Sequence, residues 1–201
     1  MRQSNRAGGG ASGGLSLTVN ADRVHCFFPL LQKGFVLGVP VGCPVRALLR
    51  GGFGLTDEYI EARLQTVFLD GRPVDDIDRA FIRDGATLAL APAMPGLMGA
   101  MLRRGGFYAP MRSEITHRDD AAARGIGEGR ITMKLFGMAL RELGPKLLER
   151  GIEVDAGDLA QVVRELPGGC REGLGDLEGL GGQTTILLKV RVAPTEEACR
   201  G

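Results

Sequence analysis

Tryptophan is absent from this chain, and lysine occurs only at Lys33, Lys134, Lys146 and Lys189. Arginine supplies the rest of the 25 basic residues, a bias that reads as genome composition before function. Neither sign of charge dominates, because 24 acidic residues bring the formal net charge to +1. The concentrated basic surface that nucleic acid or an anionic membrane requires is therefore not expected. Long apolar runs are missing too. The longest covers residues 88–102, is broken by Pro92 and Pro95, and falls short of the ~20 residues that cross a bilayer. Cysteine is sparse: Cys26, Cys43, Cys170 and Cys199 show no CxxC spacing. That excludes a zinc knuckle and a dense disulfide framework and points to reduced thiols in a cytoplasm. The opening MRQSNRAGGGASGGLS lacks the apolar core of a signal peptide and reads as a flexible tail over residues 1–16.

Reaction motifs are as scarce. No Gly-x4-Gly-Lys-Ser/Thr loop is available to cradle phosphate. Gly125-Ile126-Gly127-Glu128-Gly129 is too short for a dinucleotide fingerprint and reads as linker. No GxSxG elbow occurs, and Ser113 is the only serine after residue 16. His117 stands beside Asp119 and Asp120, but neighbours in sequence seldom converge on a metal without a third ligand from elsewhere. His25 and Cys26 are expected on a strand, where adjacent side chains diverge and form no dyad. Asp70, Asp75, Asp76 and Asp78 form an acidic cluster that reads as a solvated turn, or as a weak cation or basic-partner site. Cys170, with Arg171 to lower its pKa, is the thiol most open to reaction. No catalytic, cofactor or metal residue is assigned.

What is present suggests an α+β chain. LSLTVNADRVHCFFPLLQ and GFVLGVPV are rich in β-branched and aromatic residues and read as a hairpin about Lys33-Gly34. Pro44 opens a helix through Leu49 that Gly51-Gly52 ends. Thr56 caps a second short helix. TVFLDGRPV is a strand running into an Asp70-Gly71 turn, and ATLALAP is a strand opened by Asp84-Gly85. Residues 117–130 read as linker. Beyond it, Phe136, Leu140, Leu143 and Leu147 recur at helical spacing, with Pro145 as a kink and Gly151 as a stop. DAGDLAQVVREL is a helix capped by Asp155, and TTILLKVRV alternates as a strand should. The expected organisation is a unit over 17–112, a linker over 113–130, a smaller α+β unit over 131–193 and a tail over 194–201.

The order of the first unit, with TVFLDGRPV, the turn RDG, the strand TLALAP and the exit AMPG, resembles ubiquitin-like β-grasp proteins of the sulfur-carrier kind. These are the small subunit of molybdopterin synthase and the thiamine-biosynthesis sulfur carrier. The resemblance covers residues 17–96, and it implies a β-grasp fold and a terminal glycine that becomes a thiocarboxylate. Here Gly96 and Gly105-Gly106 stand where such a terminus would be, yet more than ninety residues follow.

The stretch APAMPGLMGAMLRRGG therefore reads as a β-grasp exit that was extended instead of ended. Met94, Leu97, Met98, Met101 and Leu102 form an apolar stripe closed by Arg103 and Arg104. The stripe is expected to pack the two units together, to dock a protein partner, or to be a carrier tail cut after Gly96 or Gly106. Three functions follow: a non-catalytic interaction module, a sulfur-carrier precursor, or a binding protein or enzyme with a pocket between the units near Arg112, His117 and Asp119. No cofactor is expected in any assigned role.

Overall fold

The computed structural model describes residues 14–112, 114–117, 126–165 and 184–193. Eight strands form one mixed sheet in the order β1-β8-β7-β2-β6-β5-β3-β4. The strands are β1 (Gly14–Val19), β2 (Phe35–Val41), β3 (Thr66–Leu69), β4 (Arg72–Pro73), β5 (Thr87–Ala91), β6 (Gly127–Leu135), β7 (Ile152–Asp155) and β8 (Thr185–Val192). The chain is thus α+β, as its composition of patterns suggests.

Alternation sets one face of this sheet. Phe35, Leu37 and Val39 of β2, Ile131, Met133 and Leu135 of β6, and Ile186, Leu188 and Val190 of β8 are buried, while their neighbours face the other way. Helices cover the buried face: α1 (Phe28–Lys33), α2 (Val45–Ala47, continuing as a π turn to Gly52), α3 (Asp57–Arg63), α5 (Gly137–Arg150) and α6 (Ala156–Glu165). A short α4 (Gly96–Leu102) follows β5. Thr56 caps α3 by accepting from the Tyr59 N–H at 3.2 Å, and Asp155 accepts from the Asp158 N–H at 3.0 Å at the start of α6. Asp70 and Gly71 both have positive φ, so the β3–β4 turn is the tight Asp-Gly type that its sequence suggests.

Three expectations are corrected. Residues 21–33 are helical rather than a strand, so no hairpin forms at Lys33-Gly34. Val24, Phe27, Leu30 and Leu31 bury one helical face instead. Residues 127–135, expected as linker and helix, are β6, which pairs antiparallel with β2 and parallel with β5. Its Ile131, Met133 and Leu135 alternate over too few residues to outweigh the helical spacing that continues into α5. The tail expected over residues 1–16 also gives up Gly14–Ser16 to β1, which pairs in parallel with β8.

The segments expected to be separate, 17–112 and 131–193, share this sheet. β2 lies between β7 and β6, and buried residues of both segments belong to one apolar core. β6 and β7 flank β2 and both run antiparallel to it, so α5 is the crossover of a split β-α-β unit. That helix continues through Pro145 without interruption. The tail expected over 194–201 lies outside the described residues.

Candidate functional site

The Met- and Gly-rich stretch becomes a folded cap. β5 ends at Ala91, Pro95 precedes α4, and Arg103 leaves the helix in an extended conformation. Gly105 turns the chain with φ 60°, and a short 3-10 turn, Ala109–Arg112, follows. The His117 N–H then donates to Pro73 O of β4 at 2.9 Å, returning the chain to the sheet.

Arg112 holds this cap together. Its side chain is 2% exposed, and its Nε donates to Met101 O at 2.5 Å, at the end of α4. Nη1 donates to Thr116 Oγ1 at 2.9 Å, and Nη2 to Asp75 Oδ1 at 2.6 Å and Arg103 O at 3.3 Å. Asp75 Oδ1 also accepts from the Gly105 N–H at 3.2 Å. A buried charge is tolerated only when its donors and its charge are both answered, and this one is.

Arg104 anchors the cap a second time. Its N–H donates to Gln65 O at 2.8 Å, and its guanidinium pairs with Glu61 of α3 at 2.9 Å. Glu61 is shared with Arg46, whose guanidinium also meets Asp78 and Asp57. The hydrogen bond from Arg46 holds the Glu61 carboxyl below the usual carboxylate range.

On this frame, large apolar side chains point outward. Leu97 is 68% exposed, Met98 67%, Phe107 89% and Met111 73%, with Tyr108 and Ile115 also exposed. Phe107 and Tyr108 meet edge to face at 5.1 Å between ring centres. A shallow groove of about 420 Å³ runs between α4 and this aromatic pair, lined by Met94, Gly96, Arg103 and Gly106 among others. Packing between two units is therefore not what Leu97 and Met98 do, while Met94, Met101 and Leu102 are only partly buried. Of the two arginines, Arg103 is exposed and Arg104 is committed to Glu61. Phe107, Tyr108, Met111 and Ile115 were not singled out from sequence. Their signal was an aromatic pair and spaced apolar residues just past the double glycine.

Gly96 opens α4, and Gly105 and Gly106 sit in hydrogen-bonded turns, the latter donating to Arg103 O at 3.2 Å. The other sequence candidates scatter. Arg112 is a buried structural hub, His117 lies beyond it, and Asp119, Asp120, Cys170 and Arg171 lie outside the described residues. The aspartate cluster separates into four duties. Asp70 accepts from the Thr87 N–H at 2.8 Å, Asp75 holds Arg112, Asp76 accepts from the Asp78 N–H at 2.9 Å, and Asp78 pairs with Arg46 at 2.7 Å. Among the described residues no group of three or more His, Cys, Asp or Glu is placed to hold a metal. His25 and Cys26 lie on a 3-10 turn rather than a strand, which brings Sγ to 3.8 Å from Nε2. Burial pushes the Cys43 thiol up, away from reactive thiolate. No helix among the described residues is long and apolar enough to cross a membrane. No protein-family model, curated protein or solved structure matches the chain.

Proposed function

We propose that this chain is a non-catalytic protein-interaction module, built on a β-grasp-like sheet of permuted chain order, that docks a protein partner through residues 94–115. The β-grasp reading is supported by the run β2-β6-β5-β3-β4, with the helix Val45–Gly52 leading out of β2. An antiparallel pair, a helix and two further strands are all there, but the strand beside β2 comes from residues 127–135.

The observation that carries the docking reading is a rigid frame presenting apolar side chains to solvent. Keeping Leu97, Met98, Phe107 and Met111 in water forgoes their burial, and the buried Arg112 network fixes them there rather than letting them collapse. Arg103, exposed at the groove, fits a partner whose apolar face carries an acidic rim.

The sulfur-carrier precursor is the second reading, and it has less support. The amides of Gly105 and Gly106 are both engaged, and the strand that follows them in the chain is central to the sheet.

The test places a photo-crosslinking residue at Met98 or Phe107, and separately at Thr132 on the other sheet face, in the native cells. A discrete adduct from the cap positions alone, abolished by Leu97→Ser with Met111→Ser, is expected. Equal labelling from Thr132, or no adduct from the cap, overturns the docking reading. Intact mass of the same material distinguishes the precursor: chain ending at Gly96 or Gly106 with sulfur in place of oxygen would establish it.

A further inference from the structure

A second concavity, independent of the cap, opens beside the C-terminal half of α5. Phe53, Leu143 and Leu147 form its walls, and the fully buried Met133 of β6 lies at its floor. Its volume is about 110 Å³. An apolar cavity of about 150 Å³ is known to admit benzene, so this smaller one, open to solvent at its mouth, takes the end of a short alkyl chain or the edge of a ring.

Among the described residues the polar side chains at its rim are two cations, Lys146 and Arg150, and no carboxylate lines it. Arg150 is fixed in place. Its Nη1 donates to Gly52 O at 3.0 Å and Nη2 to Gly38 O at 3.4 Å, with the guanidinium 6.0 Å above the centre of the Phe53 ring. Two of its five N–H donors are thereby used, and among the described residues the other three meet no hydrogen-bond acceptor. Lys146 is exposed and makes no hydrogen bond or ion pair among the described residues. The carboxylate one turn before it on α5, Glu142, is instead taken by the Tyr59 hydroxyl at 2.6 Å. The result is an apolar hole with uncompensated positive charge at its mouth. Water satisfies the charge but not the hole, and an apolar molecule satisfies the hole but not the charge.

We propose that this cavity binds a small amphipathic carboxylate. The end of its apolar body, a short alkyl chain or the edge of a ring, lies against Met133, Leu143 and Leu147, and its carboxylate lies between Lys146 and Arg150. Nothing in this site belongs to the cap, so it stands or falls separately from the docking reading.

The experiment follows the methyl resonances of isotope-labelled methionine in the full chain during titration with hexanoate, benzoate, hexanol and hexylammonium. The Met133 methyl should shift saturably with the carboxylates, and hexylammonium should bind at least about tenfold more weakly than hexanoate, given charge contacts at a partly desolvated rim. Lys146→Glu, at an exposed position that does not threaten folding, should weaken hexanoate about tenfold and leave hexanol unchanged. Lys146→Ala should give an intermediate loss. An unmoved Met133 methyl, equal affinity for hexanoate and hexylammonium, or undiminished hexanoate binding by Lys146→Glu each overturns the proposal.

Discussion

Gly99 and Gly105 show how differently two glycines of one segment are constrained. A Cβ on Gly99 would overlap the carbonyl of Met94, which packs against α4 where that glycine is buried. At Gly105 the added carbon meets open space, but the backbone has φ 60°. Gly99→Ala must therefore displace backbone and should cost about 1–3 kcal/mol or more, whereas Gly105→Ala should cost about 1–2 kcal/mol of left-handed strain. Urea unfolding of the two variants checks the order; equal losses would mean that α4 shifts freely. Arg112 is constrained by charge. Arg112→Ala leaves Asp75 without its cation and three cap acceptors without their donor. The cap should open more easily by about 2–4 kcal/mol. Hydrogen exchange should quicken at Thr116 and Ala109, whose amides are bonded within the cap, while β5 and β6 amides keep their protection. Uniform loss of protection would show that the cap is inseparable from the core.

At the scale of elements, the α3–α5 contact carries a pH signature. Burial, followed by the hydrogen bond to Glu142, pushes the Tyr59 hydroxyl above its ordinary value. The folded chain then holds that proton more tightly than the unfolded chain does. This contribution is complete below about pH 10 and is lost as the pH rises beyond it. Tyr59→Phe should flatten the alkaline fall in stability, seen as denaturation midpoints that converge with wild type as pH rises; parallel curves would contradict the assignment. The elements themselves were unequally legible. β8 and α6 were plain in the sequence because each has one periodicity over its whole length, and α6 also has the Asp155 cap at its start. β3, its Asp-Gly turn and β5 were plain for the same reason. Residues 21–33 were not, because Phe27, Phe28 and Val24 have strand preferences that packing overrides. β7 is four residues long and was hidden behind the helix stop at Gly151. The cap's sequence showed its apolar stripe, but its direction depends on Arg112, Asp75 and Gln65, which local patterns do not link.

For the whole molecule, the shared sheet and core predict one cooperative unfolding transition rather than two. Calorimetry and far-UV circular dichroism should report coincident midpoints; two resolved transitions would restore the two-unit organisation. A chain truncated after His117 should fail to acquire fixed tertiary structure, because β2 loses both neighbours and β5 loses one. A near-UV spectrum like that of the whole chain would contradict this. The same topology also bears on biosynthesis. β2 ends at Val41 and its central partner is complete only at Leu135. At about 5–20 residues per second the ribosome needs on the order of 5–20 s to make the intervening chain. Throughout that interval the nascent protein carries an apolar strand with no edge covered, so its period of greatest exposure to misassembly is written into the distance between two strands that lie side by side.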